Sequence, residues 1–369
     1  MIKKPIFVTQ PSLPPLDDFL PYLKEIWKTK ILSNSGPFHN DFELKLKDYL
    51  RVQNLSLFCN GTISLITALK ALKITGEVIT TPYSFAATAH SLVWNEITPV
   101  FVDIERETMN ISPSLIEEAI TSNTTAILAV HCYGYPCKVD LISELAKKYN
   151  LKVIYDAAHA FGVSYNNRSL LSYGDISSVS FHATKVFNTF EGGALVTSSA
   201  KLKNEIDLLK NFGFENETTI NNIGINGKLS EFNSALGILQ LQHVEKAISA
   251  RKEVDGIYRL KLSSLNGIKI PQIVDNYISN YSYFPILVEP HFHLTRDELY
   301  EKLKSNHIFA RRYFYPLISQ FSDYENLQTA DPDNLKVATE VSNQILCLPI
   351  YPELSKEDVA YIVNIITHR

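Results

Sequence analysis

The feature that most limits how this chain can fold is an alternation of short apolar runs and helical segments between residues 60 and 181. Asn60-Gly61-Thr62 opens a helix expected to run through Leu72, with Ile63, Ile66, Leu69 and Leu72 on its apolar side. Strands are expected at Glu77 to Thr81, Pro99 to Asp103, Thr125 to His131, Lys152 to Asp156 and Ile176 to Phe181. Helices are expected between them at Ala86 to Trp94, Pro113 to Ile120 and Asp140 to Tyr149, with Ser112 as the N-cap ahead of Pro113. The Thr125 to His131 run is almost entirely apolar, as a strand covered on both faces must be. The pattern predicts an α/β fold with a mostly parallel central sheet between layers of helices. In such sheets ligands bind beyond the carboxyl ends of the strands. Asp156, His159, His182 and Lys185 all fall just past predicted strand ends.

The flanking regions read differently. Asp17 to Lys30 and Phe42 to Leu50 have helical spacing, and a long helix is expected from Ser230 to Ala250 or beyond. After it come a strand at Tyr281 to Leu287 and helices at Arg296 to Ser305 and Lys356 to Thr367. Two domains are therefore expected, a large one over 1–249 and a smaller C-terminal α/β domain over 250–369, the latter open to completion by N-terminal residues.

Composition excludes several partners. The 369 residues carry a formal net charge of −4, which gives no basic footprint for nucleic acid or an anionic membrane. No run approaches the roughly 18–20 apolar residues of a membrane span. Pro11, Pro14 and Pro15 interrupt the region where a signal peptide's apolar stretch would lie, so a cytoplasmic location is expected. Cys59, Cys132, Cys137 and Cys347 are too few and scattered for a disulfide framework, and no second cluster joins His131, Cys132 and Cys137 into a metal site.

The chemistry lies in Ser180-Phe181-His182-Ala183-Thr184-Lys185, followed by Gly192-Gly193 and a short strand, Ala194 to Thr197. Lys185 is flanked by small and aromatic residues, so a desolvated amine could act there as nucleophile and base. An amine and a carboxylate at the ends of two strands suit pyridoxal phosphate (PLP): Lys185 for the Schiff base, Asp156 for the protonated ring nitrogen. Taken alone, Asp156 fits a helix cap equally well, and His159 fits a structural histidine. Gly61 and Thr62, at a helix start, fit a phosphate cradle as well as an ordinary capped turn, and Ser180 could add a hydroxyl. Phe85, in the loop Thr80-Thr81-Pro82-Tyr83-Ser84, could stack on a cofactor ring or simply join the core. The joint order is what accident explains poorly: glycine-opened helix, aromatic loop, strand-end acid, strand-end lysine.

In that order the sequence resembles the DegT/DnrJ/EryC1/StrS family of PLP-dependent sugar aminotransferases. The resemblance rests on Asn60-Gly61-Thr62, Thr81 to Thr88, Pro99 to Ile104, Asp156 to Ala160, Ser180 to Lys185 and Gly224 to Glu231, covering most of residues 30–320. It implies PLP fold type I, as in aspartate aminotransferase, and a homodimer with shared active sites. It also implies a Schiff-base role for Lys185 and ring-nitrogen pairing by Asp156. Phosphate contacts fall to Gly61, Thr62 and Ser180, ring stacking to Phe85, and His159 takes the Gln/His position beside the ring. Asn226 matches a phosphate ligand reaching in from the other subunit. One departure stands out: Gly227 and Lys228 follow Asn226 where the family often has an aromatic and an arginine. Retention of Lys185, which a related dehydratase branch replaces by histidine, implies transamination. The phrase His182 to Gly193 is similar to enzymes that move an amino group from L-glutamate to C4 of dTDP-4-keto-6-deoxyglucose, a step in O-antigen and polysaccharide sugar synthesis. The alternatives are C3 amination of a dTDP-3-keto sugar, or a PLP-binding regulator without turnover. His182, Lys228, Arg311 and Tyr313 are candidates for substrate contact.

Overall fold

A computed structural model describes residues 4–272 and 275–368. A seven-stranded sheet organises it, in the spatial order Asn54–Phe58, Gly193–Thr197, Ile176–Ser180, Lys152–Asp156, Thr124–Val130, Glu77–Thr80 and Thr98–Phe101. All neighbouring pairs are parallel except those made by Gly193–Thr197, which runs antiparallel to both of its neighbours. The mostly parallel α/β sheet is therefore as expected. Several strand ends differ from the expected bounds by a residue or two.

Two elements, one strand and one helix, escape the alternation. Asn54–Phe58 follows directly on the Pro37–Leu50 helix, and its apolar residues continue that helix's pattern. The Ala200–Leu209 helix, capped by Ser199, lies in a charged stretch without a strong apolar signal. Ser112 precedes the Pro113–Glu118 helix, but its hydroxyl faces Ser114 Oγ at 3.0 Å and makes no cap bond.

The long helix is Glu231–Leu262. Ile238 and Val244 pack into the core beneath the sheet. Val254, Tyr258 and Leu262 pack instead with Phe284, Ile286 and Leu346 in a second core. The short strand Ile6–Phe7 pairs with Ile308–Phe309, so N-terminal residues join that second core. The expected strand at Tyr281 to Leu287 begins only at Phe284 and ends at Val288. Residues 280–283 run instead as an irregular strap. The Asn280 amide donates to the carbonyls of His159 and Phe161, both at 2.8 Å, and Ser282 Oγ donates to His159 at 2.9 Å.

Two buried carboxylates tie distant elements together. Glu231 accepts from the backbone N–H groups of Phe38 (2.9 Å) and His39 (2.8 Å), and so caps the Pro37–Leu50 helix, which lacks a side-chain cap of its own. Asp103 does the same for the Lys336–Gln344 helix, accepting from Val337 (2.8 Å) and Ala338 (2.7 Å).

Candidate active site

The carboxyl edge of the sheet opens into a cavity of about 280 Å³. Its lining includes Gly61, Thr62, Phe85, Asp156, His159, Ser180 and Lys185, with His182 and Tyr313 at its margin. Gly61 and Lys185, 124 positions apart, meet because the strands of the sheet deliver their ends to one edge.

One wall is a helix start. Asn60 caps the Gly61–Ala71 helix by accepting from Ile63 N at 2.8 Å. That leaves the N–H groups of Gly61 and Thr62 turned toward the cavity, where the helix dipole favours an anion. Ser64 Oγ donates to Gly61 O at 2.7 Å, so the 2.6 Å contact between Ser178 and Ser64 must use the Ser178 proton. The cradle is thus fixed from below. It is also tight: a Cβ on Gly61 would lie 3.1 Å from Ser180 Cβ, and a Cβ on Gly193 would lie 2.9 Å from the Asn60 carbonyl carbon and Gly61 N. Only glycine permits the strand, the helix start and the Ser180 hydroxyl to converge there.

The floor carries Asp156, buried at its strand end. Thr88 Oγ1 donates to its Oδ2 at 2.7 Å, and Ala158 N donates to Oδ1 at 3.1 Å. Ser84 and Thr88 hydroxyls lie 2.7 Å apart, so Ser84 must donate to Thr88. Burial pushes the Asp156 carboxyl up, while the Thr88 and Ala158 hydrogen bonds and the Lys185 charge pull it down. No helix follows Asp156, so its donors stabilise a carboxylate rather than a cap. Burial lowers Lys185 from 10.5 to about 8, with the Asp156 charge opposing. A substantial fraction of the amine is then neutral near physiological pH, as a nucleophile requires.

His159 is held as a neutral ring. Its Nδ1 accepts from Tyr133 N at 3.1 Å, which places the ring proton on Nε2. Burial, and secondarily Lys185, depress its pKa well below the ordinary value. Phe85 is 63% exposed and lines the cavity, so it is an aromatic face without a core to join. At the rim, His182 Nε2 lies 3.5 Å from Glu191 Oε1.

The family model that matches residues 16–367 is that of the DegT/DnrJ/EryC1/StrS aminotransferases. This chain belongs to that family. The aminotransferase is 56% identical over 365 residues, 99% of both chains, to a dTDP-4-amino-4,6-dideoxy-D-glucose transaminase of Shigella dysenteriae. It is 53% identical over 370 residues, again 99% of both, to the Escherichia coli enzyme of that name. Its structure is similar to that of DesI, solved in the presence of its TDP-sugar product, with a TM-score of 0.94 and 31% identity, covering 98% of this chain and 92% of that one. Helicobacter pylori PseC, an aminotransferase involved in pseudoaminic acid biosynthesis, gives 0.91 at 29% identity over 98% of each chain.

The family's cofactor is PLP, and the cleft of this aminotransferase suits it. The glycine-tight cradle with free N–H groups fits a phosphate, the buried Asp156 a pyridinium nitrogen, the lowered amine of Lys185 an aldehyde, and the exposed Phe85 ring a flat heterocycle. Among the described residues no cluster of His, Cys, Asp and Glu is placed to hold a metal ion. His131 Nδ1 instead accepts from Cys137 N at 3.1 Å, and Cys137 Sγ donates to Val130 O at 3.1 Å. No helix among the described residues is long and apolar enough to cross a membrane.

Three sequence candidates lie outside this chain's cleft. Asn226 is exposed, on a segment paired by a bridge to Asn211. Lys228 Nζ donates to Asn211 Oδ1 at 2.7 Å and sits 4.9 Å from the Phe212 ring. Arg311 is exposed and bridges by backbone to Cys347. Sequence reading passed over Ser84, Thr88, Ser178, Tyr283 and Phe314, which line the cavity or hold those that do. Thr88 lies within the family-like segment Thr81 to Thr88, and its place one helical turn after Ser84 was the available signal.

Proposed function

We propose that this aminotransferase moves the amino group of L-glutamate to C4 of dTDP-4-keto-6-deoxy-D-glucose, forming dTDP-4-amino-4,6-dideoxy-D-glucose. The observation that carries this reading is identity of 56% and 53%, across 99% of each chain, to two transaminases named for that product. The cleft supplies the chemistry. PLP, when bound, withdraws the electron pair left on a carbon that loses its proton. Lys185 Nζ would hold the aldehyde and, as a free amine, would move the proton to and from that carbon. Asp156, whose carboxylate accepts from Thr88 and Ala158 against the upward pull of burial, would keep the ring nitrogen protonated. The Gly61 and Thr62 N–H groups and Ser180 Oγ anchor the phosphate. His159 presents its Nε2–H beside the ring, and His182 and Tyr313 face the incoming sugar. The same residues serve both halves of a ping-pong cycle.

The working unit in this reading is a cytoplasmic homodimer that serves polysaccharide or O-antigen synthesis. Asn226 and Lys228, away from their own cleft, serve the partner's. What supports this is the company they keep: Ile223 on the same loop is 89% exposed and Ile220 61% exposed, a patch that a second copy would cover.

Incubation with dTDP-4-keto-6-deoxyglucose and glutamate, followed by NMR of the product, tests the assignment. An amine at C4 is expected. Amination only of a dTDP-3-keto sugar would replace it. Failure of glutamate to convert the cofactor at all would favour a PLP-binding regulator without turnover.

A further inference from the structure

Tyr133 stands between the cofactor floor and the wall that bears Tyr313. It lies just past the Thr124–Val130 strand with a left-handed backbone, φ 55°. Its two ends do different things. Its backbone N–H donates to His159 Nδ1 at 3.1 Å and so sets which nitrogen faces the cleft. Its phenol donates to the carbonyl of Tyr313. Tyr83 OH lies 2.7 Å from the Tyr133 hydroxyl and 3.1 Å from the same carbonyl. Both phenols are buried, and burial raises the pKa of each well above the ordinary value, so they remain donors at any working pH. The Tyr133 ring also lies parallel to Phe314, with centroids 6.1 Å apart and planes at 7°. Tyr313 and Phe314 arrive from the C-terminal part of the chain, 180 residues further on, and have no regular strand or helix to fix them.

We propose that Tyr83 and Tyr133 are positioning residues for the sugar half of the reaction: their paired phenols fix the Tyr313 carbonyl, and with it the face that Tyr313 presents to the keto sugar. The inference rests on the transaminase reading of the cleft. The cofactor floor does not depend on these hydroxyls. Lys185, Asp156, Thr88 and the Gly61 cradle make no hydrogen bond to them, and His159 is held by the Tyr133 backbone rather than its phenol. Removing the hydroxyls therefore separates the two halves of the cycle. The glutamate half needs the floor, while the sugar half needs the floor and the wall.

The experiment uses PLP-loaded enzyme with Tyr133→Phe and with Tyr83→Phe/Tyr133→Phe, which keep both rings and every backbone contact. Single-turnover absorbance follows each half in turn, first with glutamate and then with the keto sugar added to the aminated enzyme. In the double variant the Tyr313 carbonyl loses both donors. Its sugar half is expected to slow by about tenfold, from the cost of an unpaired half-buried acceptor and the freedom it gives Tyr313, with the glutamate half within about twofold of wild type. Tyr133→Phe alone keeps the Tyr83 donor and is expected to show a smaller loss of the same kind. Equal slowing of both halves, or no slowing of either, in whichever variant folds with full PLP content, overturns the proposal. Failure of wild type to react with glutamate at all would instead overturn the transaminase reading, so the two failures are distinguishable.

Discussion

Two aspartates lie at the carboxyl edge of the same sheet, and they are put to opposite uses. Asp103 follows the edge strand Thr98–Phe101, and Asp156 closes Lys152–Asp156. Both are buried. Asp103 is saturated by backbone: Ile104 and Ala338 donate to one oxygen, Val337 to the other. It fastens the Lys336–Gln344 helix to the sheet. Asp156 receives only the Thr88 hydroxyl and the Ala158 N–H, and it still lines the cavity. A strand-end acid becomes a functional group when burial is combined with unused acceptor capacity facing a cleft. Burial alone makes it a fastener.

The greatest expected loss lies beside Asp156 rather than in it. Lys185→Ala should abolish turnover together with the visible absorbance of lysine-bound PLP, as a spectrum and a product assay would register. The aspartates then separate. Asp156→Asn should retain fold and some PLP, while kcat falls on the order of 10³-fold or more. Asp103→Asn should leave kcat per PLP-loaded molecule unchanged and cost about 1–3 kcal/mol in denaturant unfolding. If Asp103→Asn were the slower enzyme and Asp156→Asn the less stable protein, the contrast would be reversed.

Thr88→Val is a smaller step. It keeps the side chain's shape but deprives Asp156 of its hydroxyl donor, so kcat should drop about tenfold with PLP content preserved. Thr88→Ser should restore most of the rate, whereas a purely steric role would leave Thr88→Val as active as wild type.

The mildest effect is one of pH. Lys185 is lowered from 10.5 to about 8 by burial. Below about pH 8 the ammonium form dominates and cannot attack an aldehyde. PLP capture by the apoprotein should therefore accelerate as pH rises and level off above about 8, as stopped-flow absorbance would measure. The linked stability has the same sign. Between about 8 and 10.5 the unfolded lysine binds more protons than the folded one, so the apoprotein gains stability with rising pH in that window. Lys185→Met should lose that gain.

Much of this was legible in the chain. The alternating apolar runs specify a parallel sheet, because a strand covered on both faces must be apolar throughout, and that fold places Gly61, Phe85, Asp156, Ser180 and Lys185 at one edge. Local sequence cannot say where a side chain's hydrogen bonds go. Asp103 and Asp156 look alike in sequence, and only the packing of a helix 234 residues away distinguishes them. Ser112 sits at a helix start yet makes no cap bond, while Glu231 caps a helix 192 residues upstream of it. The strap at 280–283 reads as strand but gives its polar groups to the His159 and Phe161 carbonyls. Asn226, Lys228 and Arg311 carry suitable chemistry, but the tertiary fold leaves them outside their own cleft. Sequence determined the sheet, the order of its strand ends and the residue types delivered there, because periodicity and turn chemistry are local. Which of those residues would hold the framework and which would keep a free lone pair, proton or face toward the cavity was decided only by tertiary contacts between segments tens to hundreds of residues apart.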